Sequence, residues 1–218
     1  FKRFSGDFEN YLVQKDFEGR KDLLEEDSDV LLDHFWESKN LTLVDKIQEN
    51  IIEKFSKGGE TLKKSQQFIE KLSRLYETEK SHDKLTEVYE KWIKVLDSER
   101  TKKNSSQNVE EVNTALIDYN NKLGDVYQAQ GAYNKALQKY EKSLYLQQLQ
   151  NTKEEPLGSI KGYMRIGEMY EKLERFDLAI ETYKKAQNKT RECFGLDKNQ
   201  LQQAILHESI ARVNFKKS

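Results

Sequence analysis

The residues best suited to acid–base, metal or nucleophilic chemistry are few and far apart in this sequence. The histidines are His34, His82 and His207, and none has a cysteine or a second histidine at metal-ligand spacing. Cys193 has no partner base that the sequence identifies. Gly58-Gly59 lacks the lysine and hydroxyl residue of a phosphate-binding loop. The sequence therefore predicts no catalytic residue, no metal site and no cofactor, and we do not expect an enzyme.

Composition limits the fold class and the kind of partner. The 218 residues are 36% hydrophobic and 34% charged, with a single proline. Scarce proline beside abundant Lys, Glu, Gln and Leu favours helix almost throughout. The net charge of −1 argues against nonspecific nucleic-acid binding, which needs a basic surplus. No apolar run approaches the roughly 20 residues of a membrane span, and the single cysteine favours a reducing, cytoplasmic compartment.

The stretch 123–146 predicts two amphipathic helices joined by a tight turn. Apolar and aromatic residues recur at steps of three and four before Gly131, and again after it. Gly131 can adopt the left-handed conformation that ends a helix. Residues 166–186 repeat the pattern at an offset of 43 residues. A period in this range is typical of stacked helical hairpins.

These two hairpins resemble the tetratricopeptide-repeat family. The matching positions are a large–small pair, an aromatic, a small residue, an aromatic and a final small residue. In the first copy they are Leu123-Gly124, Tyr127, Ala136, Tyr140 and Ser143, and in the second Ile166-Gly167, Tyr170, Ala179, Tyr183 and Ala186. Small residues suit close helix crossings, and aromatics fill the space beside them. The resemblance implies an all-α, right-handed α-solenoid of antiparallel helical hairpins.

A third, earlier copy is divergent. Tyr76 and Tyr89 fit the pattern, whereas Leu85 and Trp92 stand where small residues are expected. The proline that ends a typical repeat is absent from each copy, so the second helix can extend by a turn. The resulting repeat of about 42 residues is similar to the long form of kinesin light chains, polarity adaptors and several axonemal proteins.

We predict four parts along the chain. They are an N-terminal helical extension or degenerate repeat at 1–59, a divergent hairpin at 60–100, a flexible polar insert at 101–110, and hairpins with a C-terminal helix at 111–218. The last helix is either the first half of another repeat or a terminal cap. Since the sequence does not start with Met, we expect it to be part of a longer protein.

The first 35 residues differ in charge from the rest, with ten acidic and five basic side chains, net −5. Phe1, Phe4, Phe8, Tyr11 and Leu12 fall on one predicted helical face. Two interpretations remain open. The segment caps the array as a solvated amphipathic helix, or its phenylalanine face docks on a neighbouring protein.

The first helices of successive hairpins line a concave groove in this architecture, and residues not used for packing point into it. These groove positions are Gln67, Glu70, Arg74 and Glu77, then Asp118, Asn121, Asp125 and Gln128, then Lys161, Met164, Glu168 and Glu171. Six are acidic and two basic, so we predict a preference for a neutral or basic protein segment. The alternative is that they are solvated charges without a partner.

Some family members hold a chaperone's C-terminal carboxylates with a Lys/Asn/Arg clamp. Only Asn121 and Arg165 match that clamp here, and Met164 and Asp125 argue against it. The resemblance instead implies a non-catalytic protein–protein interaction scaffold within a larger complex. Composition and the long repeats favour a ciliary axonemal or cytoskeletal one. The alternative is a regulatory or cargo-binding domain of a larger enzyme or motor protein.

Overall fold

The computed structural model describes residues 32–33, 36–37, 41–58, 61–102, 108–150, 156–194 and 200–217. From Leu41 to Lys217 the described backbone forms eight α-helices. Residues 32–33 and 36–37 are also helical, and none of the described residues lies in a strand. The eight helices are α1 (Leu41–Ser56), α2 (Leu62–Thr78), α3 (His82–Thr101), α4 (Val109–Ala129), α5 (Tyr133–Gln150), α6 (Pro156–Lys172), α7 (Phe176–Phe194) and α8 (Gln200–Lys217). None of these helices is long and apolar enough to cross a membrane. The predicted phenylalanine face of residues 1–12 lies outside the described residues.

Local sequence signals mark several helix ends. α1 ends at Ser56, and Gly58 just beyond it has a φ of 75°. α4 begins after Asn108, whose side-chain oxygen accepts a 2.9 Å hydrogen bond from the N–H of Glu110. Asn108 falls within the predicted polar insert, but it is the N-cap of α4, because it satisfies one of the helix's unpaired N–H groups.

The turns between α2 and α3, α4 and α5, and α6 and α7 share one backbone geometry. Lys80, Gly131 and Glu174 have φ values of 56°, 73° and 58°. The next N–H in each turn bonds back to a tyrosine carbonyl over 2.8 to 2.9 Å, in the pairs Ser81–Tyr76, Ala132–Tyr127 and Arg175–Tyr170. This is the Schellman arrangement. It aligns Tyr76 with the other two tyrosines, as the predicted register of the divergent copy requires.

The chain forms two compact units, Phe1–Leu72 and Ser73–Ser218. In the first unit, the buried face of α1 comprises Val44, Ile47, Ile51 and Phe55. Their spacing of three, four and four residues is that of one helical face. The part of α2 in this unit buries Phe68 and Ile69.

In the second unit, each helix from α3 to α8 packs on the next one along the chain. Two glycines lie where a neighbouring helix packs closely on the backbone. A Cβ placed on Gly124 would lie 2.5 Å from a ring carbon of Tyr140, and one on Gly167 would lie 2.6 Å from the same ring carbon of Tyr183. Since real Cβ atoms do not approach so closely, a larger residue at either position would force the tyrosine ring or the helix to shift. The predicted small–aromatic packing is therefore confirmed in both hairpins.

In the divergent hairpin, the large side chain of Trp92 stands where the other two hairpins have a small residue. Trp92 on α3 is fully buried and meets Tyr119 of α4 edge to face, with ring centroids 6.2 Å apart. Tyr89 lies 5.7 Å from the same ring. Such tilted aromatic contacts stabilise beyond their buried area. The α3–α4 contact therefore includes an aromatic cluster.

Candidate partner-binding groove

The predicted groove positions lie on the first helices of the hairpins, and none of them is fully buried. α2 carries Gln67, Glu70, Arg74 and Glu77, α4 carries Asp118, Asn121, Asp125 and Gln128, and α6 carries Lys161, Met164, Glu168 and Glu171. Gln67 and Glu70 belong to the first unit and the rest to the second. We call the eight positions on α4 and α6 the groove face.

Asp125 joins three helices through its carboxylate. The hydroxyl of Tyr140 on α5 donates a 2.6 Å hydrogen bond to Oδ1, and Arg165 on α6 approaches Oδ2 at 3.3 Å. The guanidinium of Arg165 also lies 5.4 Å from the centroid of the Tyr140 ring, a cation–π distance. Arg165, one of the two matches to the carboxylate clamp, is therefore already engaged with a carboxylate of its own chain.

Glu171 is the most heavily paired residue of the groove face. Arg212 of α8 donates to both of its oxygens, at 3.1 and 3.2 Å, and Lys216 donates to Oε1 at 2.7 Å. Only 8% of the Glu171 side chain remains exposed. Burial acts to raise the pKa of Glu171, but the hydrogen bonds from Arg212 and Lys216 outweigh it and hold the pKa below its ordinary value.

Glu168 lies one turn away and differs in its surroundings. Its side chain is half-buried, and burial raises its pKa above the ordinary value, an effect that the charge of Arg212 partly offsets. Two carboxylates whose pKa values are shifted in opposite directions thus lie three residues apart on α6. Any cation that approached them would be attracted by both.

The remaining groove-face residues are polar, except for Met164, which is partly buried against the core cluster that includes Ile160 and Tyr183. Asp118 pairs with Lys122 at 2.7 Å within α4, and Gln128 accepts a 2.9 Å hydrogen bond from the Tyr140 hydroxyl. Gln202 of α8 donates to the sulfur of Met164 over 2.7 Å. Lys161 is exposed and Asn121 is half-buried.

Ion pairing leaves this surface less acidic than the sequence count implies. Three of its four carboxylates, Asp118, Asp125 and Glu171, have cationic partners within the described residues. The sequence reasoning missed these partners, which are Lys122, Arg165, Arg212 and Lys216. Arg165 and Arg212 follow their carboxylates by 40 and 41 residues. A search for opposite charges about one repeat apart would have found them.

Four tyrosine hydroxyls of the second unit, at two different positions of the repeat, bind carboxylates. The pairs are Tyr127–Glu90, Tyr140–Asp125, Tyr170–Glu141 and Tyr183–Glu171. Burial and these acceptors raise the pKa of all four hydroxyls above the ordinary tyrosine value. The family's aromatic positions therefore carry a second contact in this chain, since each ring fills a packing position and each hydroxyl holds an acidic side chain.

The described histidines and the cysteine form no catalytic arrangement. Both ring nitrogens of His207 lie within hydrogen-bond distance of the side-chain amide of Gln187, and Cys193 is a half-buried free thiol. No group of three or more His, Cys, Asp or Glu residues in the described ranges could hold a metal ion. His34 lies outside them.

Two comparisons with known proteins find the same repeat, and a third finds no relative. Tetratricopeptide-repeat family models match residues 121–155 and 160–188. No curated protein is significantly similar to the chain. Among solved structures, the nearly identical TPR-like repeats of a candidate kinesin light chain from Podosopora anserina superpose with a TM-score of 0.55. That likeness is at 12% identity, over 86% of this chain and 84% of that one.

A second solved structure supports the same fold. BtubC (BKLC) from P. vanneervenii gives a TM-score of 0.53 at 16% identity, over 89% of this chain and 66% of that one. At these identities the likeness concerns the fold. Tetratricopeptide repeats serve as protein–protein interaction scaffolds. Residues 121–155 and 160–188 are therefore tetratricopeptide repeats, and the chain has an all-α solenoid fold similar to that of kinesin-light-chain repeats.

Proposed function

We propose that this protein is a non-catalytic scaffold whose groove face binds a neutral or basic segment of a partner protein within a larger assembly. The observation that carries the proposal is the pair of contacts Asp125–Arg165 and Glu171–Arg212. They connect α4 to α6 and α6 to α8 through ion pairs, which supports a polar surface that continues from one helix to the next. A continuous surface of this kind suits an extended or helical partner segment.

The charges of this surface disfavour an acidic partner. Arg165 is paired with Asp125, and Arg212 and Lys216 are paired with Glu171. Glu168 keeps a half-buried carboxylate with a raised pKa. An acidic ligand would have to displace an existing ion pair and meet Glu168 as well, whereas a basic segment would gain a favourable contact with it.

Affinity capture from the cells that produce the protein, read by quantitative mass spectrometry, tests the proposal. We compare the wild-type chain with Glu168→Lys alone and with Asp125→Lys/Glu168→Lys. The matched control is Glu181→Lys, a charge reversal on the exposed side of α7. We expect both groove-face variants to lose partners that wild type and control retain. Equal recovery of every partner by all four chains would refute a role of the groove face.

We further propose that the protein acts in the cytoplasm, in a cytoskeletal or ciliary axonemal complex. The long repeats, the polar, proline-poor composition and the fold likeness to a candidate kinesin light chain support it. The second candidate is a regulatory or cargo-binding domain of a larger enzyme or motor protein, which the same likeness favours. Partners that co-purify with tubulin or axonemal proteins would favour the cytoskeletal or axonemal scaffold. Capture of a motor subunit would favour the regulatory or cargo-binding domain.

A further inference from the structure

The groove face continues into an apolar patch, which comprises Leu157 and Met164 on α6 and Leu201 and Ile205 on α8. Leu157 precedes Lys161 by four residues, so it lies on the same side of α6 as the predicted groove positions. Leu201 and Ile205 follow Leu157 and Lys161 by 44 residues and share one side of α8. The exposed fractions of Leu157, Leu201 and Ile205 are 49%, 75% and 37%. Three large apolar side chains thus remain accessible beside a polar surface.

Contacts between α6 and α8 bring the two parts of the apolar patch together. The side-chain amide of Gln202, next to Leu201, donates to the sulfur of Met164 over 2.7 Å. Met164 and Ile210 also pack against one core cluster. The exposure does not depend on α8 alone, because Leu157 is half exposed on α6, which packs on both α5 and α7. The patch is therefore a feature of the stacked helices and not of a single one.

Charged residues mark the two ends of the apolar patch on α6. Lys161 is exposed near its beginning, and Glu168 is half-buried one turn beyond Met164. Lys161 and Glu168 are seven residues apart, which is roughly 10 Å along a helix. A segment that covers the patch therefore meets an ammonium group at one end and a carboxylate at the other, and these charges orient it.

We infer that the partner segment is an amphipathic helix whose apolar side chains pack on the apolar patch and whose basic residue, one turn further along, pairs with Glu168. This inference rests on the proposed function, because the patch is continuous with the groove face. Contiguous exposed apolar surface with a polar rim marks interaction sites. The pairs Leu201–Ile205 and Met164–Glu168 are each four residues apart, the interval at which one face of a partner helix repeats.

Apolar contact supplies affinity that the charges alone do not. An ion pair with an accessible carboxylate contributes little in water, whereas burying a leucine-sized side chain contributes substantially more. Lys161 repels a second basic residue from the other end of the patch, although its methylene stem can pack on a partner. The arginine or lysine of the partner is therefore confined to the Glu168 end.

Three blocked, alanine-based helical peptides test the inference on the full chain by fluorescence anisotropy. The first carries two leucines four residues apart and an arginine four residues after the second leucine. The other two replace both leucines by glutamine, or the arginine by glutamate. We expect the first peptide to bind at least about tenfold more tightly than either of the others, because each of them lacks one of the two contacts. Equal binding of all three would overturn the inference.

Substitutions in the chain locate the contact. We expect Leu201→Gln/Ile205→Gln and Leu157→Gln each to weaken binding of the first peptide about fivefold or more, and to leave binding of the glutamine peptide unchanged. Leu157→Gln tests the patch without altering α8. The control is Tyr145→Gln/Leu149→Gln, an apolar pair four residues apart on α5 with exposed fractions of 55% and 56%. Unchanged binding by both patch variants, or an equal loss in the control, would overturn the inference.

Failure of the proposed function appears as a different result. We expect Glu168→Lys to bind the glutamate peptide more tightly than the arginine peptide, because the charge that orients the partner is reversed. If this variant instead keeps the wild-type preference for arginine, the charge preference proposed for the groove face is wrong. The substitutions of Leu157, Leu201 and Ile205 still decide the apolar contact in that case.

Discussion

The hydroxyl of Tyr140 donates a 2.6 Å hydrogen bond to Asp125, and the same residue's ring fills the space above Gly124. One side chain thus fixes both the packing of α5 on α4 and the position of a groove-face carboxylate. The equivalent residue of the next hairpin, Tyr183, packs on Gly167 and reaches Glu171 at 3.4 Å. The residues that build the repeats therefore also orient the residues proposed to bind a partner.

Removing only the Tyr140 hydroxyl separates these two roles. We expect Tyr140→Phe to lower the free energy of unfolding by about 1 kcal/mol, because the bonds to Asp125 and Gln128 are lost while the ring remains. Urea denaturation followed by circular dichroism measures the loss. The control is Tyr145→Phe on the exposed side of α5, for which a change within about 0.5 kcal/mol is expected. Equal effects of the two substitutions would contradict this account.

The glycine at the close crossing is a steric requirement. We expect Gly124→Ala to destabilise the protein by roughly 1–3 kcal/mol, although alanine is the better helix former, because the new Cβ would lie 2.5 Å from the Tyr140 ring. Gly162→Ala is the control, since its Cβ would meet a terminal methyl carbon of Leu144 at 3.2 Å, and a smaller loss is expected. Thermal denaturation ranks the two variants.

A second substitution checks the steric explanation. If the Tyr140 ring is the obstacle, Gly124→Ala should cost less in a Tyr140→Leu background than in the wild type, because the obstructing ring atoms are gone. A fully additive double variant would mean that Gly124 is needed for another reason.

The turn at Glu174 offers a stabilising substitution. Glu174 holds a φ of 58°, a conformation that costs a residue with a Cβ roughly 1–2 kcal/mol. We expect Glu174→Gly to raise the unfolding free energy by about 1 kcal/mol and the melting temperature by about 2–4 °C. Glu174→Ala, which keeps the Cβ, should give no such gain. Gly131→Ala should lose about 1 kcal/mol by strain alone, since its Cβ would meet no atom within 4 Å.

Glu168 and Glu171 should respond oppositely to the same neutralisation. At neutral pH we expect Glu171→Gln to lower the melting temperature, because it removes the acceptor of Arg212 and Lys216. We expect Glu168→Gln to raise it, because the ionised form of this half-buried carboxylate is disfavoured by burial. Melting temperatures of both variants and wild type across the acid range measure the two effects.

The pH dependence of the two effects differs in sign. The folded pKa of Glu171 lies below the unfolded value of 4.5, so its stabilisation is present above 4.5 and is lost as pH falls through the folded pKa. The folded pKa of Glu168 lies above the unfolded value of 4.5. The ionised carboxylate therefore destabilises the fold as pH rises from 4.5 through the folded pKa, and this destabilisation is absent below 4.5. The advantage of Glu168→Gln should therefore disappear in acid. An advantage independent of pH would rule out this explanation.

The hairpin pattern was predictable because it depends on neighbouring residues. Helix periodicity, Gly131 and the small–aromatic positions are separated by no more than about one helical hairpin, so spacing alone identifies them. The turns at Lys80 and Glu174 were less visible, since a lysine or glutamate rarely adopts a positive φ. There the tertiary packing of two helices imposes a conformation that the local sequence does not favour.

The sequence by itself determined the repeat, its register and the side of each first helix that stays out of the core. Only the tertiary structure decided how the charges on that side are used. Asp125 meets Arg165, and Glu171 meets Arg212 and Lys216, across helices whose lateral offset sets which residues face each other. That offset follows from the volumes packed between the helices. The physical state of the groove face, with most of its carboxylates paired and Glu168 half-buried, is therefore a property of the assembled array.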